Sequence, residues 1–293
     1  MDREQRSNWI FEVLSHILKA LGGNSRIRES LIFKGAMVLN QHLGTPRMSL
    51  DIDSNLDAEF TRQHPDKIVQ KTFLEESISE ALTRYFEDQD PVRFKVSHIR
   101  VEPNPIKGHP LGWDAFLIRI SLIDYEKLGV RDLPGLRVDV AAPETLSDDS
   151  VVVLPLGDVT VKAYSLERIA GEKARAFLSS LPAYREKLDK RPKAIRVKDL
   201  YDLTRIIQAR PINDKIFWKK AGEEFFLASE SRYVDCEGLK TFRENWEVTS
   251  RLFSEDPIIP TDISIADVEN TLVAITDYWE SINLLPFSFP LPG

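Results

Sequence analysis

FKGAMVLNQHLGTPRMSLDIDSNLD, residues Phe33 to Asp57, is the stretch whose reading decides the rest of the chain. At its centre Ser49-Leu50-Asp51-Ile52-Asp53 alternates polar and apolar residues. A period of two predicts a strand with Ser49, Asp51 and Asp53 on one face and Leu50 and Ile52 turned to a core. Two carboxylates on one strand face repel each other unless a cation lies between them. Hard divalent cations such as magnesium take such oxygen ligands.

Upstream, Leu31-Ile32-Phe33 reads as a short strand, Lys34-Gly35-Ala36 as a glycine turn, and Met37 to Leu43 as a helix. A turn that opens a helix presents free backbone N–H groups, which favour a phosphate. A phosphate cradle and a carboxylate pair in one short unit are what nucleotidyl transfer from a triphosphate needs. Each feature alone has a plain structural reading. Asp-x-Asp recurs on surface strands, and a glycine after a strand is commonly only a turn. The Lys-Gly element, Arg47 and Ser49 beside the pair point to metal and phosphate chemistry.

Outward from this stretch, the apolar stripe Ile10, Val13, Leu14, Ile17, Leu18 and Leu21 predicts an amphipathic helix ending at Gly22-Gly23. Pro65 to Glu87 has helical spacing, with Ile68, Phe73, Ile78, Leu82 and Tyr85 as its apolar positions. The period then drops to two: Val92 to Val96, Asp114 to Asp124 and Leu136 to Ala141 read as strands, and Glu102 to Gly112 as a loop rich in Pro and Gly. In the third strand Val138 and Val140 share one face and Arg137 and Asp139 the other. From the pattern alone, Asp139 reads as an exposed strand aspartate or a surface partner of Arg137. Val151 to Leu154 and Val159 to Ala163 are further short strands. From Ser165, a helix cap, to about Glu280 the pattern is helical. These readings give an α+β fold: a mixed sheet with flanking helices over residues 1–163 and a helical part over 164–293. The proline-rich tail, Leu285 to Gly293, is expected to be extended.

With 293 residues the chain is long enough for one large domain or two ordinary ones, and 42% hydrophobic residues suffice for a core. The single cysteine, Cys236, excludes an internal disulfide framework. No uninterrupted apolar run reaches membrane-spanning length, so a cytoplasmic protein with no membrane partner is expected. A net charge of −7 gives no global attraction to nucleic acid, so any RNA contact needs a local basic patch. Arg185 to Lys198 is the candidate, with seven basic residues against two acidic ones. It is either a solvated charge run or a contact for an RNA backbone or the incoming triphosphate.

A second constellation follows in the helical part. Lys173 sits inside the stripe Leu166, Ile169, Ala170, Ala174, Phe177, Leu178 and Leu181, where a lysine needs an edge to reach or an anion to meet. Further on, Val197-Lys198-Asp199-Leu200-Tyr201-Asp202-Leu203 puts Asp199 and Asp202 three apart on one helix face.

The two motifs together carry a resemblance. The Lys34-Gly35-Ala36 turn and Arg47-x-Ser49-x-Asp51-x-Asp53 resemble the polymerase-β-type nucleotidyltransferase superfamily. With Glu172-Lys173-x-Arg175 and Lys198-Asp199-Leu-Tyr-Asp202-Leu, the chain over residues 30 to 205 resembles more narrowly the AbiEii/AbiGii family, which includes MenT-type toxins. The resemblance implies a nucleotidyltransferase-like fold and a toxin of a type IV toxin–antitoxin or phage-defence system, with an antitoxin as partner. It implies that Asp51 and Asp53 bind Mg2+, with Asp139 as third ligand or base. Lys34, Gly35, Arg47, Ser49, Lys173 and Asp202 would hold the nucleoside triphosphate, and Asp199 would orient Lys173 or the substrate. The acceptor implied by some family members is the 3′ end of tRNA, which the basic segment Arg185 to Lys198 would meet, and a protein hydroxyl is a second possibility. Ala36 departs from the family's usual Gly or Ser and removes one hydroxyl from the phosphate turn. Two other readings stay open, a small-molecule nucleotidyltransferase and a nucleotide-binding regulatory module without transfer.

Overall fold

The alternation read from the sequence builds one seven-stranded mixed sheet, with strand order β3-β4-β5-β2-β1-β7-β6. In chain order the elements that form and cover it are α1 (Arg3–Gly23), α2 (Ser25–Ser30), β1 (Leu31–Lys34), α3 (Gly35–Leu43), β2 (Ile52–Leu56), α4 (Ala58–Gln63), α5 (Lys67–Glu87), β3 (Phe94–Asn104), β4 (Ala115–Asp124), β5 (Leu136–Ala141), β6 (Val151–Leu156) and β7 (Val159–Tyr164). The helices that follow are α6 (Leu166–Leu178), α7 (Pro182–Lys187), α8 (Val197–Ala209), α9 (Lys215–Glu230), α10 (Leu239–Phe242), α11 (Trp246–Glu255) and α12 (Ile265–Ser281). This computed structural model describes residues 1–45, 47–107, 113–130, 133–191 and 193–291. The far end of the predicted Glu102–Gly112 loop, Pro192 of the basic segment and the last two residues of the tail lie outside them.

The chain divides into two compact units. The first is Met1–Gln41, Met48–Glu144 and Val152–Ala163, and the second is His42–Arg47, Thr145–Val151 and Tyr164–Gly293. In the first, β1 runs antiparallel to β2 and parallel to β7, while β2 and β5 are parallel. One face of β3, β4 and β5 is apolar and buried, through Phe94, Phe116, Ile118, Ile120, Leu136, Val138 and Val140. The opposite face of these strands carries their polar residues. Helix α1 starts on a capping box between Asp2 and Gln5 and buries the predicted stripe. Its Trp9 donates to the buried Asp124 at 2.9 Å. At its other end, a Cβ on Gly22 would lie 2.9 Å from Val161 Cγ1, so only glycine lets the helix approach β7.

Three readings of local structure change. β3 runs on to Asn104 because Glu102, Pro103 and Asn104 pair with β4, so the first residues of the predicted Glu102–Gly112 loop are strand. β2 begins at Ile52, so Ser49 and Asp51 precede the strand. The Ser49 hydroxyl donates to the Asp51 carbonyl at 3.0 Å, a local turn bond that competes with ladder pairing. Leu50 is only half-buried, while Ile52 is fully buried. In α5, Ile68 is 74% exposed because it lies in the first turn, ahead of the positions that meet the core.

The second unit is helical, as its sequence pattern predicts. Ser165 caps α6 by accepting from the Arg168 N–H. Its core is aromatic: Trp218, Phe225, Phe177, Phe242 and Trp279 are all buried. The Trp279 indole donates to the Trp218 carbonyl at 2.8 Å, which satisfies a buried N–H in apolar surroundings. A Cβ on Gly171 of α6 would stand 2.5 Å from the Phe225 backbone nitrogen of α9, so these two helices touch backbone to backbone. The tail is extended and bridges back to Cys236 through Phe287.

Candidate functional site

The strand pairing brings the first motif together. β2 sits between β1 and β5, and its Asp53 is in register with Lys34 on one side and Asp139 on the other. Asp51, just ahead of β2, completes a group: carboxylate oxygens of Asp51, Asp53 and Asp139 lie within 4.8 Å of one another, all three side chains half-buried. The Ser49 hydroxyl also reaches Asp51 Oδ1 at 3.2 Å and helps fix that carboxylate. Asp139 is held from its other side by Arg137 at 3.0 Å.

Gly35 closes this group. Its φ of +77° is left-handed, and a Cβ there would overlap Asp53 Oδ2 and stand 2.9 Å from the Asp53 Cβ. The turn therefore requires glycine twice over, once for its dihedral and once for the carboxylate packed against it. Helix α3 starts at this glycine, so its first N–H groups open beside the carboxylates. The Lys34 ammonium is bound to Glu144 Oε1 at 3.2 Å. The sequence reading did not single out Glu144. A glutamate soon after a strand end has no periodic signature, and only the fold brings it to Lys34.

The second motif gathers in the helical unit. Lys173 Nζ meets Asp202 Oδ2 at 2.6 Å and Asp199 Oδ1 at 3.1 Å. Arg47 holds Asp202 with two parallel bonds, 2.8 Å from Nε and 2.7 Å from Nη2, the bidentate fork that suits a carboxylate. Arg196 pairs with Asp199. The result is a row of alternating charge: Arg47, Asp202, Lys173, Asp199, Arg196. Lys173, Asp199, Asp202 and Arg47 are all buried. Burial works against the charge on Lys173, but Asp202 and Asp199 outweigh it and raise its pKa. Burial likewise opposes ionisation of the aspartates. Arg196 and Lys173 still hold Asp199 well below the usual carboxylate range, and Lys173 and Arg47 depress Asp202. The row is thus ionised throughout. Arg47, read from the sequence as a nucleotide ligand, bonds Asp202. The Arg196–Asp199 bond was missed, though its i, i+3 spacing at a helix start could have shown it.

A second buried cluster had no sequence signal. Glu224 of α9 accepts from the Ser150 hydroxyl at 2.6 Å and from Arg168 at 3.0 Å. It ties the segment Thr145–Val151 to α6 and is structural.

In the segment Arg185 to Lys198, Lys187 pairs with Asp235, Arg196 with Asp199 and Lys198 with Asp256. The expected patch is therefore narrower than the sequence implied, because acids from outside the segment, Asp235 and Asp256 from far along the chain, neutralise part of it. Burial, then Arg185 and Arg232, lowers the Lys190 pKa. Burial, then Arg196 and Arg185, lowers that of Lys193. Cations crowd one another here. Among the described residues no helix is long and apolar enough to cross a membrane.

Comparison with known proteins adds to this geometry. No curated protein matches the chain significantly. Among solved structures the chain is similar to JHP933 from Helicobacter pylori, with 13% identity, 96% of this chain and 93% of that chain covered, and a TM-score of 0.52. It is also similar to MenT4, a nucleotidyltransferase toxin from Mycobacterium tuberculosis, with 14% identity, coverage of 94% and 84%, and a TM-score of 0.54. At such identities these likenesses speak for the fold. The sequence profile of the nucleotidyl transferase AbiEii toxins of type IV toxin–antitoxin systems matches residues 16–274. With a carboxylate triad, a glycine turn and most of its length matched, the chain belongs to the AbiEii family of nucleotidyltransferase toxins.

Proposed function

We propose that this toxin is a magnesium-dependent enzyme that moves a nucleoside monophosphate from a nucleoside triphosphate to the 3′ end of tRNA in the cytoplasm. The observation that carries the reading is the register of Asp53 with Asp139, which joins Asp51 in one group of three carboxylates within 4.8 Å. Three half-buried acids at that spacing repel one another, and an all-oxygen donor set suits a hard divalent ion. Asp51, Asp53 and Asp139 would hold Mg2+, which would neutralise the charge that develops on the phosphate oxygens during transfer.

The chain's own residues do the rest. The Gly35 turn and the first N–H groups of α3 receive the triphosphate. Lys34 joins them by exchanging Glu144 for a phosphate. Ser49 positions Asp51. An ammonium has three donors, and Lys173 gives two of them to Asp199 and Asp202, leaving one for a phosphate oxygen. Arg47 and Arg196 position those aspartates. The acceptor hydroxyl oxygen bonds to the α-phosphorus, the bond from that phosphorus to the bridging oxygen breaks, and pyrophosphate leaves with the electron pair. Asp139 takes the hydroxyl proton. The crowded cations Arg185, Lys190 and Lys193 favour a polyanion such as tRNA. A cognate antitoxin silences the enzyme, and release from it is the route to phage defence.

The test is transfer itself. The purified protein is incubated with Mg2+, each α-labelled nucleoside triphosphate and total tRNA, beside Asp51→Ala. Label on tRNA that the variant fails to produce supports the reading and names the nucleotide. Label confined to protein or to small molecules overturns the tRNA acceptor, and no pyrophosphate from any mixture overturns the enzyme.

A further inference from the structure

The outer face of β3, β4 and β5 carries an arginine row. Arg100 of β3 is directly opposite Arg119 of β4, and Arg119 is directly opposite Arg137 of β5. Residues paired across strands share a face, and Asp139 is two residues from Arg137, so the row lies on the face of the carboxylate triad, one pleat away. The three side chains are 64%, 56% and 50% exposed. At the spacing of neighbouring strands the row crosses about 10 Å, from beside the triad out to the edge strand. Like charges directly opposite one another destabilise a sheet, so a row of three stands against the fold's own interest. Glu102 offsets part of this by bonding Arg100 at 2.7 Å and Arg119 at 3.3 Å. Apart from it and Asp139, the outward positions of these three strands hold no acid among the described residues, on a chain of net charge −7.

Strand order says which phosphates such a row meets. Across the sheet the sequence runs Arg100, Arg119, Arg137 with Asp139, then Asp53, then Lys34 and Gly35. The glycine turn for the triphosphate is on one side of the carboxylates and the arginines are on the other. In phosphoryl transfer the attacking and leaving oxygens are roughly in line, so the acceptor enters opposite the departing pyrophosphate. We infer that the Arg100–Arg119–Arg137 row receives the phosphate backbone of the acceptor, a single polynucleotide strand whose end reaches the triad. This rests on the transfer reading above for its purpose, but binding tests it without any transfer.

The experiment measures binding of a labelled single-stranded oligoribonucleotide with a free 3′ hydroxyl by anisotropy, from low to moderate salt. The full chain is compared with Arg100→Gln/Arg119→Gln, which spares Arg137 and its bond to Asp139. Both residues are exposed, and thermal melting checks that the fold is kept. Two lost phosphate contacts flatten the slope of log K against log salt by about 1.4 for a single strand and weaken binding about tenfold or more at low salt. Affinity for Mn2+ with a nucleoside triphosphate stays within about twofold. The conservative Arg100→Lys/Arg119→Lys variant restores the salt slope, because the charge is kept. An unchanged RNA affinity and slope overturns the inference, as does a wild-type chain that binds no RNA, or a loss of nucleotide affinity in step with RNA. RNA binding with the expected slope but without any transfer supports the row and contradicts the transfer reading instead.

Discussion

Gly35 has no room for a side chain, and the reason is Asp53. The glycine's left-handed φ and the carboxylate packed on its Cα are two constraints from one contact. Ser49 acts on the same group by fixing Asp51 from the front of β2. Gly35→Ala is therefore expected to cost about 1–3 kcal/mol through strain. It also displaces the Asp53 carboxylate, and with it divalent-ion affinity. Denaturant unfolding and Mn2+ calorimetry read the two effects. An alanine variant of native stability and native Mn2+ affinity contradicts the packing described here.

The strands and helices show why some of this was legible and some was not. β5 and α6 could be read directly, because a period of two with valines on one face and a capped helical stripe are local signals. Lys173 was conspicuous because a lysine interrupts that stripe. The Asp53–Asp139 register, the Lys34–Glu144 bond and the Arg47 fork on Asp202 were not legible, since each joins residues far apart in sequence. The strand start was misplaced because Ser49 bonds its own turn, a choice the alternation pattern does not reveal. Helix α8 also begins without a side-chain cap. Instead Asp199 sits in its first turn, where the helix dipole favours a carboxylate, and Lys173 of α6 meets it there.

That pairing of α6 with α8 sets a pH dependence. Asp199 and Asp202 have depressed values in the folded protein. Their contribution is fully present above about pH 4, the unfolded carboxylate value, and is lost as pH falls through the folded values. Lys173 is raised, so its contribution is full below about pH 10.4 and is lost only as pH rises beyond that. Between these limits the network does not titrate. Asp202→Asn leaves Lys173 and Arg47 buried with one anion fewer, and is expected to destabilise the protein by about 3 kcal/mol at neutral pH. Below pH 4 the difference from wild type narrows. Tm measured across pH checks this, and a difference that stays constant into acid contradicts the assignment.

Over the whole molecule the charges divide unevenly. The chain is acidic, yet Arg100, Arg119 and Arg137 adjoin one another on the outer face of β3, β4 and β5, and Arg185 lies beside Lys190 and Lys193. Such local concentrations give a polyanion places to bind on a protein that would otherwise repel it. The chain also leaves the sheet unit twice before Tyr164, at His42–Arg47 and Thr145–Val151, to join the helical unit. Neither short segment carries a periodic pattern that would announce this. The first ends at Arg47, whose guanidinium is bound within the helical unit by Asp202.

The central claim is that Asp51, Asp53 and Asp139 form a divalent metal centre. Anomalous diffraction from crystals grown with Mn2+ and a non-hydrolysable nucleoside triphosphate tests it most directly. The account predicts a manganese peak bonded to oxygens of all three aspartates, at about 2.1 Å as for magnesium, and no such peak in Asp51→Ala. Triphosphate bound at Gly35 with no manganese among these carboxylates, or manganese held elsewhere, would contradict it.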